Sequence, residues 1–127
     1  MSHTVLIVDD AAFMRAMIAD ILHPGAGFEV VGQAGTGAEA LQLYRDLRPD
    51  VVTMDIVMPE MDGIEATRQI VREHPGARIV MCSALGQEAL VIESIAAGAK
   101  DFIVKPFTAE KVLRVVQTVL ARPAAEG

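Results

Sequence analysis

The sequence predicts an α/β domain: a doubly wound, five-stranded parallel sheet with helices on both faces. Two observations carry that expectation. Short runs rich in Val and Ile show almost no polar alternation, as strands buried on both sides do. Between them lie longer segments whose apolar residues recur at three- and four-residue spacing, the period of an amphipathic helix. Such strand–helix pairs in succession build a sheet sandwiched between two helical layers.

Thr4–Val8 supplies the first strand, and Phe13, Met14, Met17, Ile18, Ile21 and Leu22 mark the first helix, which Pro24-Gly25 ends. Phe28–Gln33 is the second strand. Thr36-Gly37-Ala38-Glu39 then has the form of a capping box, in which side chain and backbone donors satisfy one another reciprocally. Ala40, Leu43, Tyr44 and Leu47 give the helix it opens an apolar face, and Pro49 precedes the third strand, Val51–Met54. Asp62-Gly63-Ile64-Glu65 is a second capping box, followed by Ile64, Thr67, Ile70 and Val71 at helical spacing. Pro75-Gly76 leads into the fourth strand, Arg78–Cys82.

The next helical segment, Gln87 to Ala97, is apolar on nearly all sides and needs a second burial surface. A docking face for a partner and a short helix tucked against its neighbour both satisfy that need. Phe102–Val104 is the fifth strand, and Val112, Leu113, Val115, Val116, Val119 and Leu120 give the last helix its apolar face. Residues 1–121 are expected to form one domain, and 122–127 a loose tail.

A chain of 127 residues suits one domain, and 52% hydrophobic residues supply a core. With 17 Asp and Glu against 11 Lys and Arg, the net charge of −6 argues against sequence-independent binding to nucleic acid or anionic membrane. One cysteine, Cys82, excludes an intramolecular disulfide framework and reads as an inert core thiol. Met14, Met17, Met54 and Met81 fall at apolar-pattern positions and are expected to pack in the core. No basic leader precedes the first apolar run, and no stretch approaches the roughly 18 apolar residues of a membrane span. Cytoplasmic location is the expectation.

In an open parallel sheet all strands end on one edge, and ligands bind outside those carboxyl ends. The residues found there are Asp9-Asp10 after the first strand, Asp55 after the third, Ser83 after the fourth and Lys105 after the fifth. Singly each has an ordinary reading. Asp9-Asp10 suit an acidic helix start, Ser83 a strand-end turn and Lys105 a solvated surface position. Together they place three carboxylates, a hydroxyl and an amine on one edge. Crowded carboxylates repel, so one keeps its proton unless a cation neutralises them. Oxygen-only ligands favour Mg²⁺, and the backbone carbonyl of Val57 offers a further oxygen. His3, His23 and His74 show no ligand spacing, so zinc is unsupported. Mg²⁺ and Lys105 balance the charge of the three aspartates. Such a pocket can receive a phosphoryl group on an ionised Asp acting as nucleophile.

The segments LIVDDAAFMR, VVTMDIVMPEMDG, IVMCSALGQ and AGAKDFIVKPF resemble the receiver domains of bacterial two-component response regulators, in particular the stand-alone chemotaxis type, from Thr4 to about Ala121. That resemblance implies a flavodoxin-like strand order, 2-1-3-4-5. It implies Asp55 as phosphoacceptor, Asp10 as a direct Mg²⁺ ligand, Asp9 as holder of metal-bound water and the Val57 carbonyl as another ligand. Lys105 would pair with the phosphoryl group, and Ser83 and Phe102 would move together as a switch. The implied donor is a sensor histidine kinase. The implied target, the flagellar motor switch protein or another protein, docks on the fourth helix, fifth strand and fifth helix. A phosphatase is a further implied partner, and another two-component phosphorelay is the alternative setting. Three features depart from the common pattern. Phe102 stands where Tyr is frequent, and Val57 and Leu85 are apolar at two pocket-flanking positions that are often polar.

Rival chemistries fare worse. An aspartate-nucleophile phosphatase of the haloacid-dehalogenase kind needs a second Asp two residues on as proton donor, and here that residue is Val57. FMN binding needs a glycine- and hydroxyl-rich loop where Asp9-Asp10 would repel the phosphate. No GxxxxGK[ST] phosphate loop occurs.

Overall fold

In the computed structural model, residues 2–123 are described. The strands are β1 (His3–Val8), β2 (Phe28–Ala34), β3 (Val51–Asp55), β4 (Ile79–Ser83) and β5 (Asp101–Val104). They alternate with helices α1 (Ala12–Ile21), α2 (Gly37–Leu47), α3 (Gly63–Glu73), α4 (Glu88–Ala96) and α5 (Ala109–Ala121), and a short 3-10 turn, Pro24–Ala26, joins α1 to β2. All neighbouring strands pair in parallel, in the order β2-β1-β3-β4-β5 that the resemblance implied. Among the described residues, no helix is long and apolar enough to cross a membrane.

Successive strand side chains point to opposite faces, and β1 feeds two cores. Leu6 and Val8 join Met54, Ile79 and Met81 beneath Tyr44 of α2 and Ile64 and Ile70 of α3. Val5 and Ile7 join Val80, Cys82 and Ile103 beneath Ile18 of α1 and Val112, Val116 and Val119 of α5. In the central strands β1, β3 and β4 the near-absence of polar alternation has its expected cause, since both faces are covered, whereas the edge strands β2 and β5 are partly exposed. At the opposite edge of the sheet from the candidate site, Thr4 and Asp50 clasp the starts of β1 and β3. The Asp50 N–H donates to the Thr4 hydroxyl at 2.9 Å, and the Thr4 N–H donates to the Asp50 carboxylate at 2.8 Å.

Three local expectations need correction, and the alternatives left open for α4 both apply in part. Both capping boxes are half made. Thr36 and Asp62 each accept from the N–H three residues on, at 3.1 and 2.9 Å. Glu39 turns instead to the Gly35 N–H, and Glu65 to Arg68 and Gln69, which offer charged or amide donors. On α1, three- and four-residue spacing generates two adjacent stripes, and the sheet covers one. Ile18 and Leu22 are buried, whereas Phe13 and Met17 stay exposed, so Met17 is not a core residue. On α4, Leu90 and Val91 pack against the core while Ile92 and Ile95 face outward, so the helix is tucked on one side and open on the other. Finally, Arg122, the first residue of the expected tail, is anchored. It donates to the Lys100 carbonyl at 3.0 Å and lies 3.6 Å from Asp101. Residues 124–127 of that tail lie outside the described residues.

Candidate functional site

The carboxyl edge of the sheet gathers the predicted residues. Asp9 follows β1 and is 1% exposed, Asp55 closes β3 and is half-buried, and Asp10 is exposed. One carboxylate oxygen from each lies within 4.8 Å of the others. Lys105, just past β5, sends its ammonium to 3.2 Å from Asp9 and 3.4 Å from Asp55. Ser83 closes β4 and is buried, and its carbonyl accepts the Lys105 N–H at 2.7 Å. That bond anchors the start of the β5–α5 loop, in which the Lys105–Pro106 peptide bond is cis.

The electrostatics follow from this crowding. Burial, then the charge of Asp9, push the Asp55 carboxyl up to about 6; Lys105 pulls the other way, and Asp10 adds a smaller upward push. For Lys105, burial disfavours the ammonium, but Asp55 and Asp9 outweigh it and hold the pKa above the ordinary lysine value. Burial pushes the Cys82 thiol up to about 12, which makes it the inert core thiol expected. A divalent cation fits this donor set: three carboxylates share one small volume with a single ammonium, and the crowding makes Asp55 harder to ionise than an ordinary Asp in its absence.

Asp9 has a complete set of partners. Its N–H donates to the Ala34 carbonyl at 3.0 Å, one carboxylate oxygen accepts from the Ala11 N–H at 2.9 Å, and the other accepts from Lys105. The carbonyl of Asp9 accepts from the Arg15 guanidinium at 2.6 Å. Asp9 therefore does not act as the N-cap of α1, a role held by Ala11 without a side-chain bond.

Two glycines missed in the sequence bring the walls of the site together. A methyl group on Gly63 would meet the Asp55 carbonyl oxygen at 2.0 Å, and one on Gly37 would meet the Met61 carbonyl at 2.2 Å. Both glycines use that closeness, Gly63 donating its N–H to Ile56 at 2.8 Å and Gly37 to Met61 at 3.0 Å. Each stands at the first helical position after a cap, which was their legible sign. Val57 and Leu85, two residues past Asp55 and Ser83, are 56% and 77% exposed. Phe102, 40% exposed, lines an apolar groove of about 640 Å³ together with Ser83, Val91, Ile92, Ile95 and Val104.

Comparison with known proteins gives one family. Residues 5–117 match the response regulator receiver domain. The chemotaxis protein CheY of Bacillus subtilis is 58% identical over 120 residues, covering 94% of this chain and 99% of that protein. CheY of Thermotoga maritima is 56% identical over 119 residues, covering 94% and 98%. Among solved structures, the CheX–CheY–BeF3–Mg complex of Borrelia burgdorferi contains a similar chain, with TM-score 0.88, 41% identity, and coverage of 94% of this chain and 90% of that one. On this sheet order, this edge of carboxylates and this match over nearly its whole length, the chain belongs to the response regulator receiver domain family.

Proposed function

We propose that the chain is a phosphorylation-activated chemotaxis response regulator of the CheY kind that takes its phosphoryl group on Asp55. The observation that carries this reading is the juxtaposition of three aspartate oxygens within 4.8 Å with the Lys105 ammonium between Asp9 and Asp55. Asp10, Asp55 and the Val57 carbonyl would hold Mg²⁺ directly. Asp9, with both carboxylate oxygens already accepting, would reach it through water. When bound, Mg²⁺ supplies the positive charge that ionises Asp55 and offsets the phosphoryl oxygens.

The chemistry left to the protein is positioning. An Asp55 carboxylate oxygen attacks phosphorus, and the bond from phosphorus to the imidazole nitrogen of a sensor histidine kinase breaks with its electron pair going to that nitrogen. Lys105 stands ready to hold a phosphoryl oxygen in place of Asp55, and the Ser83 hydroxyl supplies another donor from β4. Phosphorylation replaces one negative charge by about two, which draws Ser83 toward the new oxygens. The groove beside Phe102 gives its ring room to follow, so the face formed by α4, β5 and α5 changes shape. A flagellar motor switch protein is the proposed target of that face. A phosphatase that opposes the kinase is a further proposed partner, and the Borrelia relative was solved with CheX.

Intact-mass analysis after incubation with a small phosphodonor and Mg²⁺ tests the site. Wild type gains one phosphoryl unit, and Asp55→Asn or EDTA prevents it. Equal gain by Asp55→Asn overturns the assignment.

A further inference from the structure

We propose that Arg15 is a positioning residue for the metal-binding turn, fixing the peptide between Asp9 and Asp10 so that the exposed Asp10 carboxylate faces Asp55. The inference rests on the metal reading above and adds to it a residue outside the acidic cluster.

Arg15 lies one turn into α1, and long helical side chains lean back toward the N-terminus. Its guanidinium accordingly returns to the end of β1. One arm donates to the Asp9 carbonyl at 2.6 Å, a short charge-assisted bond, and the Nε–H donates to the Gln33 side chain on β2 at 3.3 Å. The carbonyl it holds belongs to the peptide unit that joins Asp9 to Asp10. The Ala11 N–H bond to the Asp9 carboxylate closes a turn over the same peptide, and the bond from Arg15 is the one made to its carbonyl. Asp10 itself is exposed. Its direction follows the backbone of this turn, whose carbonyl Arg15 holds from behind. Groups that orient metal ligands from behind commonly matter by about 10- to 100-fold in metal affinity.

A second role would predict the opposite sign. If Arg15 acted only as a nearby positive charge, removing it would strengthen cation binding. Titration calorimetry with MgCl₂ separates the two, using Arg15→Met, Arg15→Lys and Gln33→Ala, with urea unfolding as the control for folding. Positioning predicts about tenfold weaker Mg²⁺ binding in Arg15→Met, partial recovery in Arg15→Lys, whose ammonium reaches the carbonyl but lacks the planar fork, and a smaller loss in Gln33→Ala. Urea midpoints stay close to wild type. Unchanged or tighter binding by Arg15→Met overturns the proposal while leaving the metal site intact. Failure of wild type to bind Mg²⁺ overturns the metal reading and this proposal with it.

Discussion

The Lys105 ammonium stands 3.4 Å from the Asp55 carboxylate although their strands are not neighbours, since β4 lies between β3 and β5. A long flexible side chain at the end of one strand thus spans an intervening strand to reach the carboxylate on another. The amine can stay with Asp55 or move to whatever replaces its charge.

Removing that ammonium has a defined electrostatic effect. Lys105 is the cation that pulls Asp55 down against burial and Asp9. Lys105→Met is expected to raise the Asp55 titration point further above about 6 in metal-free protein. Carboxyl-carbon NMR across a pH series measures it, and an unmoved midpoint contradicts the pairing.

Stability should depend on pH through the same group. An unfolded Asp titrates near about 3.9, and Asp55 in the folded chain titrates at about 6. Folding therefore favours the protonated form. The contribution of Asp55 is complete below about pH 4 and is lost as pH rises through about 6. Asp55→Asn, which never acquires the charge, should gain on wild type by about 1 kcal/mol at pH 7.5 after allowance for solvent screening, and by much less at pH 4. Added Mg²⁺ should erase the difference at pH 7.5. Urea denaturation under these three conditions gives the answer, and parallel pH curves for the two proteins would refute it.

The close approach of α3 to β3 yields a packing prediction. Gly63→Ala forces a methyl against the Asp55 carbonyl oxygen, with no flexible side chain to give way. Destabilisation of about 2–3 kcal/mol is expected from such overpacking. Gly35→Ala, where the nearest atom is an Arg15 nitrogen at 3.7 Å, should change stability by less than about 0.5 kcal/mol. Equal urea midpoints for the two variants would contradict the contact.

Val57 and Leu85 are apolar and exposed, two residues past Asp55 and Ser83. They offer an incoming water no hydrogen bond. Val57→Asn and Leu85→Glu should shorten the lifetime of phosphorylated Asp55 by about two- to tenfold, the worth of one added net hydrogen bond. Decay followed by intact mass after removal of donor tests this, and unchanged decay sinks the idea.

Much of this was legible in the chain because the sheet is parallel and buried. Uninterrupted Val and Ile runs marked the strands, and a shared sheet edge then made Asp9, Asp10, Asp55, Ser83 and Lys105 neighbours without any contact being known. What escaped notice depends on directions, which a periodic pattern does not encode. Phe13 and Met17 form one helical row and Met14, Ile18 and Leu22 the next, yet the sheet buries only Ile18 and Leu22 of these. Glu39 and Glu65 stand at capping positions, yet better donors compete for them. Arg15 and Gly63 carry no reactive group, and their importance lies in where a backbone carbonyl happens to be.

The two loops bordering Asp55 also differ in compliance. The loop after β3 is stapled by Gly63 to Ile56 and by Gly37 to Met61, with helices pressed close behind it. The loop after β4 holds a glycine at φ +87° and a bond from the Ala84 N–H to the Gln87 side chain at 2.7 Å. The loop after β3 is thus tied across to α2 and α3, whereas the bond in the loop after β4 is local to that loop. Under the proposed phosphorylation, displacement is therefore expected on the β4–α4 side, with α3 held where it is.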